Sequence, residues 1–385
     1  MSKNDFAPEE FAARLTRVRR AVAEAGLDWF LIFHPVTMRW LTGQDNKSYT
    51  ALQCLPVSAK PGRLIVFTRE MDRNEFEADS MVDEVWGYNG REPEDPIEAF
   101  GKFADHLGLN GARVGMEVPA WYLHPLHYVR LKALLGPALV AEPSNLVHSL
   151  KLAKSPRELE YVRKSAAIAA DAFQALLATV AEGRTELELA AAAYHALLKA
   201  GSGIPASTMN IMTGERSCFA LGGPTERRQR RGDTGLVELG GAYRRYTSTL
   251  GRQWVLGKPS DRLRELHDVI LRASDACMAE MRAGVPAIVP HEAAKRVIAA
   301  AGLDHFRQHT TGYGMAPGFP PSWGEPTNMF GGSKDVLEAG MVVSVEPAVF
   351  IKDEKIGVRL IDNCLVTETG VEVLSRTPRD LVVLD

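Results

Sequence analysis

Two glutamates stand in apolar surroundings where an acid is out of place unless it has a task. Glu238 sits in Leu-Val-Glu-Leu-Gly-Gly at 236–241, and Glu346 precedes Pro347 in Val-Ser-Val-Glu-Pro at 343–347. An acid flanked by aliphatic residues and glycines reads as buried, and a buried carboxylate is costly unless it is paired or protonated. Neighbouring acids repel, so one of two can hold a proton near neutral pH and act as acid while the other serves as base or anchor. His309, four residues before Tyr313, offers an imidazole whose ordinary pKa suits a general base. It reads equally as a loop histidine bonded to backbone. Cys218 is a weaker candidate, because a nucleophilic thiol needs a base beside it. Trp323 and Glu325, in Pro-Pro-Ser-Trp-Gly-Glu, read as a lid or as a rigid turn. Arg359 is a partner for the glutamates, for a substrate carboxylate, or for solvent.

The elements that must hold these residues are marked by their punctuation. Phe11, Leu15, Val18 and Val22 fall at helical spacing, predicting an amphipathic helix over 9–26. Apolar runs at 29–33, 64–67 and 114–117, the last after a helix near 95–108, read as buried strands of an α/β domain. Ser155-Pro156-Arg157-Glu158 is a capping box that starts a helix running to about Val180, and Thr185–Glu188 starts another ending near Gly201. Strands follow near 206–213, 234–240 and 246–256, then helices from Ser260 and Pro290, then strands near 341–350 and 357–367. The strand carrying Glu238 is expected to turn through Gly240-Gly241 and return through Tyr243, Tyr246 and Thr249. Tyr243 and Tyr246 read as core or as part of a binding surface. Two blocks of paired helices followed by paired strands hint at internal duplication.

Composition narrows the classes of function. A chain of 385 residues suits two domains, here 1–150 and 151–385. Hydrophobic residues at 45% and charged residues at 24% give ordinary globular material for a core. The net charge of -3 provides no basic field for nucleic acid, and the run Arg227–Arg231 reads as a solvated or anion-steering loop. Four separated cysteines without a CxxC pair suit a reducing compartment. No apolar stretch has the length of a signal core or a membrane span, so a cytoplasmic protein with no membrane partner is expected.

Six stretches carry a resemblance to a known family. They are RLTRVRRAVAEAGLDWFLIFHPVTMRWLTG, KLAKSPRELEYVRKSAAIA, LVELGGAYRRYTST, HTTGYGMAPGFPPSWGE, LEAGMVVSVEP and GVRLIDNCLVTETGVEVLS, in that order along the chain. Together they resemble the creatinase branch of the pita-bread superfamily, which also holds methionine aminopeptidase, aminopeptidase P and prolidase. The pattern GYxxxxxFPPxWGE at Gly312–Glu325 is similar to a motif of the metal-free ectoine hydrolases. The resemblance implies an α/β (α+β) chain: a small N-terminal creatinase-like α/β domain, then a C-terminal pita-bread catalytic domain, in a homodimer.

It also implies a ligand set of Asp, Asp, His, Glu and Glu for two metal ions. Here those positions hold Glu238, Thr249, Tyr313, Glu346 and Ile361. Only two carboxylates remain, so the resemblance implies no metal and no other cofactor. Tyr313 reads as filling the space of a metal and its ligand, with its hydroxyl meeting a carboxylate. Glu238 and Glu346 are expected to approach across the cavity and to serve, with His309 and Tyr313, as the catalytic set. Tyr246, Trp323, Glu325 and Arg359 would bind substrate. Tyr49 and Gln53, with Trp40, match a region that in related dimers reaches the partner's active site. The base histidine of creatinase and ectoine hydrolase falls here on Leu221. The expected activity is metal-independent hydrolysis of a non-peptide C–N bond in a small zwitterion, an ectoine- or creatine-like amidine or guanidino acid. The alternatives are a catalytically silent pita-bread module that binds a ligand or protein, and a metal-dependent Xaa-Pro dipeptidase or aminopeptidase.

Overall fold

The computed structural model describes residues 3–119, 121–143 and 145–385. They form two compact units that part between Lys151 and Leu152. In the first unit, Pro8–Glu24 folds as the expected amphipathic helix, with Phe11, Val18 and Val22 buried. A four-stranded sheet follows the order 55–58, 29–32, 114–116, 139–141. Its neighbours Trp29–Ile32 and Val114–Met116 run parallel. A separate parallel pair joins Ile65–Arg69 to Glu84–Tyr88. Two apolar clusters fill this unit, one around Phe67, Phe100 and Phe103 and one around Val18, Phe30 and Val66. Among the described residues, no helix is long and apolar enough to cross a membrane.

The second unit opens with α1 (Pro156–Leu177) and α2 (Glu186–Lys199), each started by the reciprocal capping box that the sequence announces. β1 (Asn210–Thr213), β2 (Thr234–Tyr243) and β3 (Tyr246–Leu256) follow. Then come α3 (Asp261–Glu280) and α4 (Ile288–Ala300), the hairpin β4 (Gly312–Phe319) and β5 (Ser322–Met329), and β6 (Val342–Val345). β7 (Ala348–Ile351), β8 (Ile356–Arg359), β9 (Asp362–Val366), β10 (Val371–Val373) and β11 (Val382–Leu384) complete it. One sheet runs β10-β9-β6-β4-β3-β2-β1, with β5 paired to β4 and β11 to β3, while β7 and β8 form a separate pair. The first helix pair covers β1–β3 through Phe173, Leu176, Leu189 and Trp254, and the second packs on β6 and β9.

Three expectations are corrected. The turn between β2 and β3 lies not at Gly240-Gly241 but at Arg244 and Arg245, both in the left-handed region at φ 52° and 69°. Such a pair is the requirement of a tight hairpin whose twist matches its strands. Second, the stretch from Gly312 to Glu325, where no strand is expected, is a bulged hairpin. Its glycines and prolines hide the alternation by which strands are read. Third, the two terminal strands are each broken. Pro347 has no N–H to give and separates β6 from β7, and the chain leaves β8 at Leu360 so that Ile361 can bridge to Gly251 on β3.

Candidate functional site

β2 and β3 are the platform. Side chains alternate across a strand, so Glu238 and Gly240 share one face with their cross-strand partners Gly251 and Thr249. Tyr243 and Tyr246 occupy the other face, in ring contact with Tyr161 of α1. The glycines serve close approach. A Cβ on Gly241 would stand 2.2 Å from the Ser165 carbonyl oxygen of α1, and one on Gly240 would stand 2.8 Å from the Trp323 ring. Helix and indole therefore press on opposite faces of the same two residues.

Across the platform lies a buried cation between two buried acids. Arg359, the last residue of β8, donates from Nη1 to Glu238 Oε2 at 2.8 Å and from Nη2 to Glu346 Oε2 at 3.3 Å. Its Nη1 also reaches the Ala220 carbonyl at 3.2 Å. Asn210 Nδ2 donates to the same oxygen of Glu238 at 3.0 Å. Among the described residues, Glu346 Oε1 is buried without a hydrogen-bond partner. Burial raises the Glu346 carboxyl above its ordinary value, with Glu238 adding to the shift while Arg359 and His309 oppose it. Its proton is thus held more tightly than on an exposed carboxyl group.

His309 Nδ1 lies 2.9 Å from the Thr310 carbonyl and 3.6 Å from Glu346 Oε2. A carbonyl only accepts, so the neutral ring carries its proton on Nδ1 and presents Nε2 as a base. The Tyr313 hydroxyl accepts from Trp323 Nε1 at 3.0 Å, rather than meeting a carboxylate. Burial, reinforced by Glu346 and Glu238, pushes this phenol well above its ordinary range. It keeps its proton and can donate it in a hydrogen bond.

The remaining positions of the two-metal ligand set are occupied by neutral packing. Thr249 is buried, its N–H donating to Asn363 Oδ1 at 2.6 Å and its Oγ1 accepting from Asn363 Nδ2 at 3.0 Å. Ile361 lies over Gly251, where a Cβ would come within 2.5 Å of it. Among the described residues, no group of three or more His, Cys, Asp or Glu side chains is placed to hold a metal ion. A guanidinium seated between the two surviving carboxylates, with Thr, Tyr and Ile at the other positions, does not fit a pair of divalent cations.

Of the residues singled out from sequence, Glu238, Glu346, Arg359, His309, Tyr313 and Trp323 come together. Tyr246 does not join them, since its hydroxyl donates to Glu158 at 2.7 Å on the helix side. Glu325 is held in a buried ion pair with Lys154 at 2.5 Å. In the first unit, Gln53 is buried and donates to Thr68 at 2.8 Å, Tyr49 lies edge-on to Tyr122, and Trp40 is buried beneath Arg14. Leu221 is exposed, on the loop whose Ala220 carbonyl receives Arg359. Cys218 Sγ donates to the Glu215 carbonyl at 3.2 Å. Asn210 and Asn363 escaped notice in the sequence. Their signal is an amide inside a short strand that is otherwise largely apolar.

Comparison with known proteins agrees with this architecture. Residues 160–368 match the family described as metallopeptidase family M24, and residues 14–150 match the creatinase/prolidase N-terminal domain. Ectoine hydrolase of Halomonas elongata is 26% identical, covering 98% of this chain and 98% of its own length. An Xaa-Pro dipeptidase of Pyrococcus horikoshii is 28% identical, covering 74% of this chain and 80% of that protein. The solved Xaa-Pro dipeptidase from Bacillus anthracis superposes with a TM-score of 0.84 at 26% identity, over 97% of this chain and 100% of that one. The expected fold, a creatinase-type α/β domain followed by a pita-bread domain, is the fold of this protein. The chain belongs to metallopeptidase family M24, a family of hydrolases, and carries a creatinase/prolidase N-terminal domain.

Proposed function

We propose that this protein is a metal-independent hydrolase of a non-peptide C–N bond in a small zwitterion of the amidine or guanidino-acid type. The observation that carries the proposal is the Glu238–Arg359–Glu346 arrangement. One cation already satisfies an oxygen of each acid, leaving Glu238 as an anchor for a delocalised C–N cation and Glu346 as a proton donor. His309 Nε2 takes a proton from water, and the water oxygen attacks the carbon of the C–N bond. Glu346 Oε1 gives its proton to the departing nitrogen. His309 Nε2 then gives its extra proton to solvent and Glu346 Oε1 regains one from solvent, which restores the starting state, while the 3.6 Å between His309 Nδ1 and Glu346 Oε2 keeps imidazolium and carboxylate side by side in the interval. The Tyr313 hydroxyl stands as a donor for the oxygen that gains charge.

Elemental analysis and a turnover screen over ectoine, creatine, related amidines and Xaa-Pro dipeptides test this reading. The expected result is turnover of an amidine or guanidino acid without stoichiometric Mn, Co or Zn, untouched by chelation and reduced by a factor of about 10² or more in Glu346→Gln. Metal lost together with activity, or cleavage confined to Xaa-Pro dipeptides, would overturn it. A silent binding module is the second reading, favoured by Leu221 at the position of the family base. Turnover abolished by Glu346→Gln removes it.

A further inference from the structure

A cleft of about 410 Å³ opens beside the catalytic pair, lined by His291, Lys295, Arg307, His309, Asn328 and Phe330 among others. Among the described residues that line it, every ionisable side chain is basic. An acid stands beside this wall: Glu292 Oε1 lies 3.8 Å from both Lys295 Nζ and His291 Nε2. Among the described residues Arg307 hydrogen-bonds only through Nε, to Asp304 at 3.1 Å, which leaves both terminal nitrogens of its fork for another partner. Asn328 Oδ1 accepts from Thr310 at 2.5 Å, so its amide nitrogen remains a donor. His291 is anchored through Nδ1 to Thr311 at 2.8 Å, and its Nε2 would stand 3.7 Å from a Cβ on Gly331 of the same wall. A guanidinium fork, an ammonium and an amide NH2 around one hollow form a receptor for an oxyanion. Phe330, largely exposed, adds an apolar wall.

His309 belongs both to this cleft and to the pair with Glu346. We infer that the cleft seats the carboxylate of the substrate, on the far side of His309 from Glu346, with Arg307 and Lys295 as its recognition residues. This rests on the hydrolase reading above and adds to it the seat of the substrate's carboxylate, which sets that group apart from the scissile bond by roughly the width of an imidazole.

The test reads binding without turnover. Acetate, inorganic phosphate and guanidinoacetate are titrated calorimetrically into the full chain, into Arg307→Gln/Lys295→Gln, into Glu238→Gln, and into Arg230→Gln as a basic-loop control. Acetate is expected to bind the wild type and the Arg230 variant alike, and the double variant at least about tenfold more weakly. Guanidinoacetate is expected to bind more tightly than acetate and to lose that gain in Glu238→Gln. Equal acetate binding by wild type and double variant, at unchanged melting temperature, overturns the cleft assignment. Phosphate binding without acetate binding overturns the carboxylate and makes the cleft a phosphate site. If acetate needs Arg307 and Lys295 while guanidinoacetate gains nothing from Glu238, the cleft stands and the cation-anchoring part of the hydrolase reading falls.

Discussion

Glu346 combines complete burial, one oxygen shared by Arg359 and His309, and one oxygen with no partner. Its raised pKa makes stability depend on pH in a defined direction. An acid that binds its proton more tightly in the folded chain than in the unfolded one costs stability as pH climbs from its ordinary value of 4.5 through the raised value. Urea unfolding should therefore show the wild type losing stability relative to Glu346→Gln as pH climbs above about 4.5. Parallel profiles for the two proteins would contradict the assignment. Arg359 is the complementary probe. Arg359→Met removes the cation that, among the described residues, is hydrogen-bonded to both carboxylates and leaves two buried acids facing each other, at a cost of about 3–5 kcal/mol. The loss should shrink toward acid pH, where protonation relieves the repulsion. A loss that does not vary with pH would show that packing of the long side chain, rather than its charge, matters.

At the scale of elements, β2 is pinched between α1 and Trp323, and its glycines measure how tightly. Gly241→Ala drives a methyl into the Ser165 carbonyl and should cost about 1–3 kcal/mol. Gly62→Ala, where nothing lies within 4 Å, should change urea stability little. Equal effects would refute the close helix–strand contact. These glycines also show why part of the fold was hard to read. Helix starts were legible because Ser155, Thr185 and Ser260 announce them by local hydrogen bonds. The β2–β3 turn was not, because Gly240-Gly241 has turn chemistry but is used for packing, while two arginines take the left-handed positions. Glu238 and Glu346 were legible as buried acids from residue type and surroundings, whereas His309 was singled out through the family resemblance and stands beside Glu346 only through the fold. The role of Arg359 was one of several open readings, since only the tertiary fold decides whether an arginine meets a carboxylate or water. Asn363 was invisible because its task, holding both the N–H and the hydroxyl of Thr249, depends on β9 crossing to β3.

For the molecule as a whole, each unit owns its apolar clusters. Those of the first unit come from residues between Leu15 and Leu150, and those of the second from residues after Lys151. A fragment spanning 152–385 is therefore expected to unfold in one cooperative transition, followed by circular dichroism in urea. A broad, non-cooperative profile would show that the second unit depends on the first. The Thr249–Asn363 amide clasp and the Ile361–Gly251 contact carry a consequence for anyone hoping to engineer metal binding here. Thr249→Asp alone would set an acid against an amide oxygen already committed to backbone. Ile361→Glu alone would bury a charge over a glycine, and with either change an incoming metal ion would still compete with Arg359 for Glu238 and Glu346. The route to a metal centre through single substitutions descends before it climbs, so the site can be rebuilt only by several changes made at once.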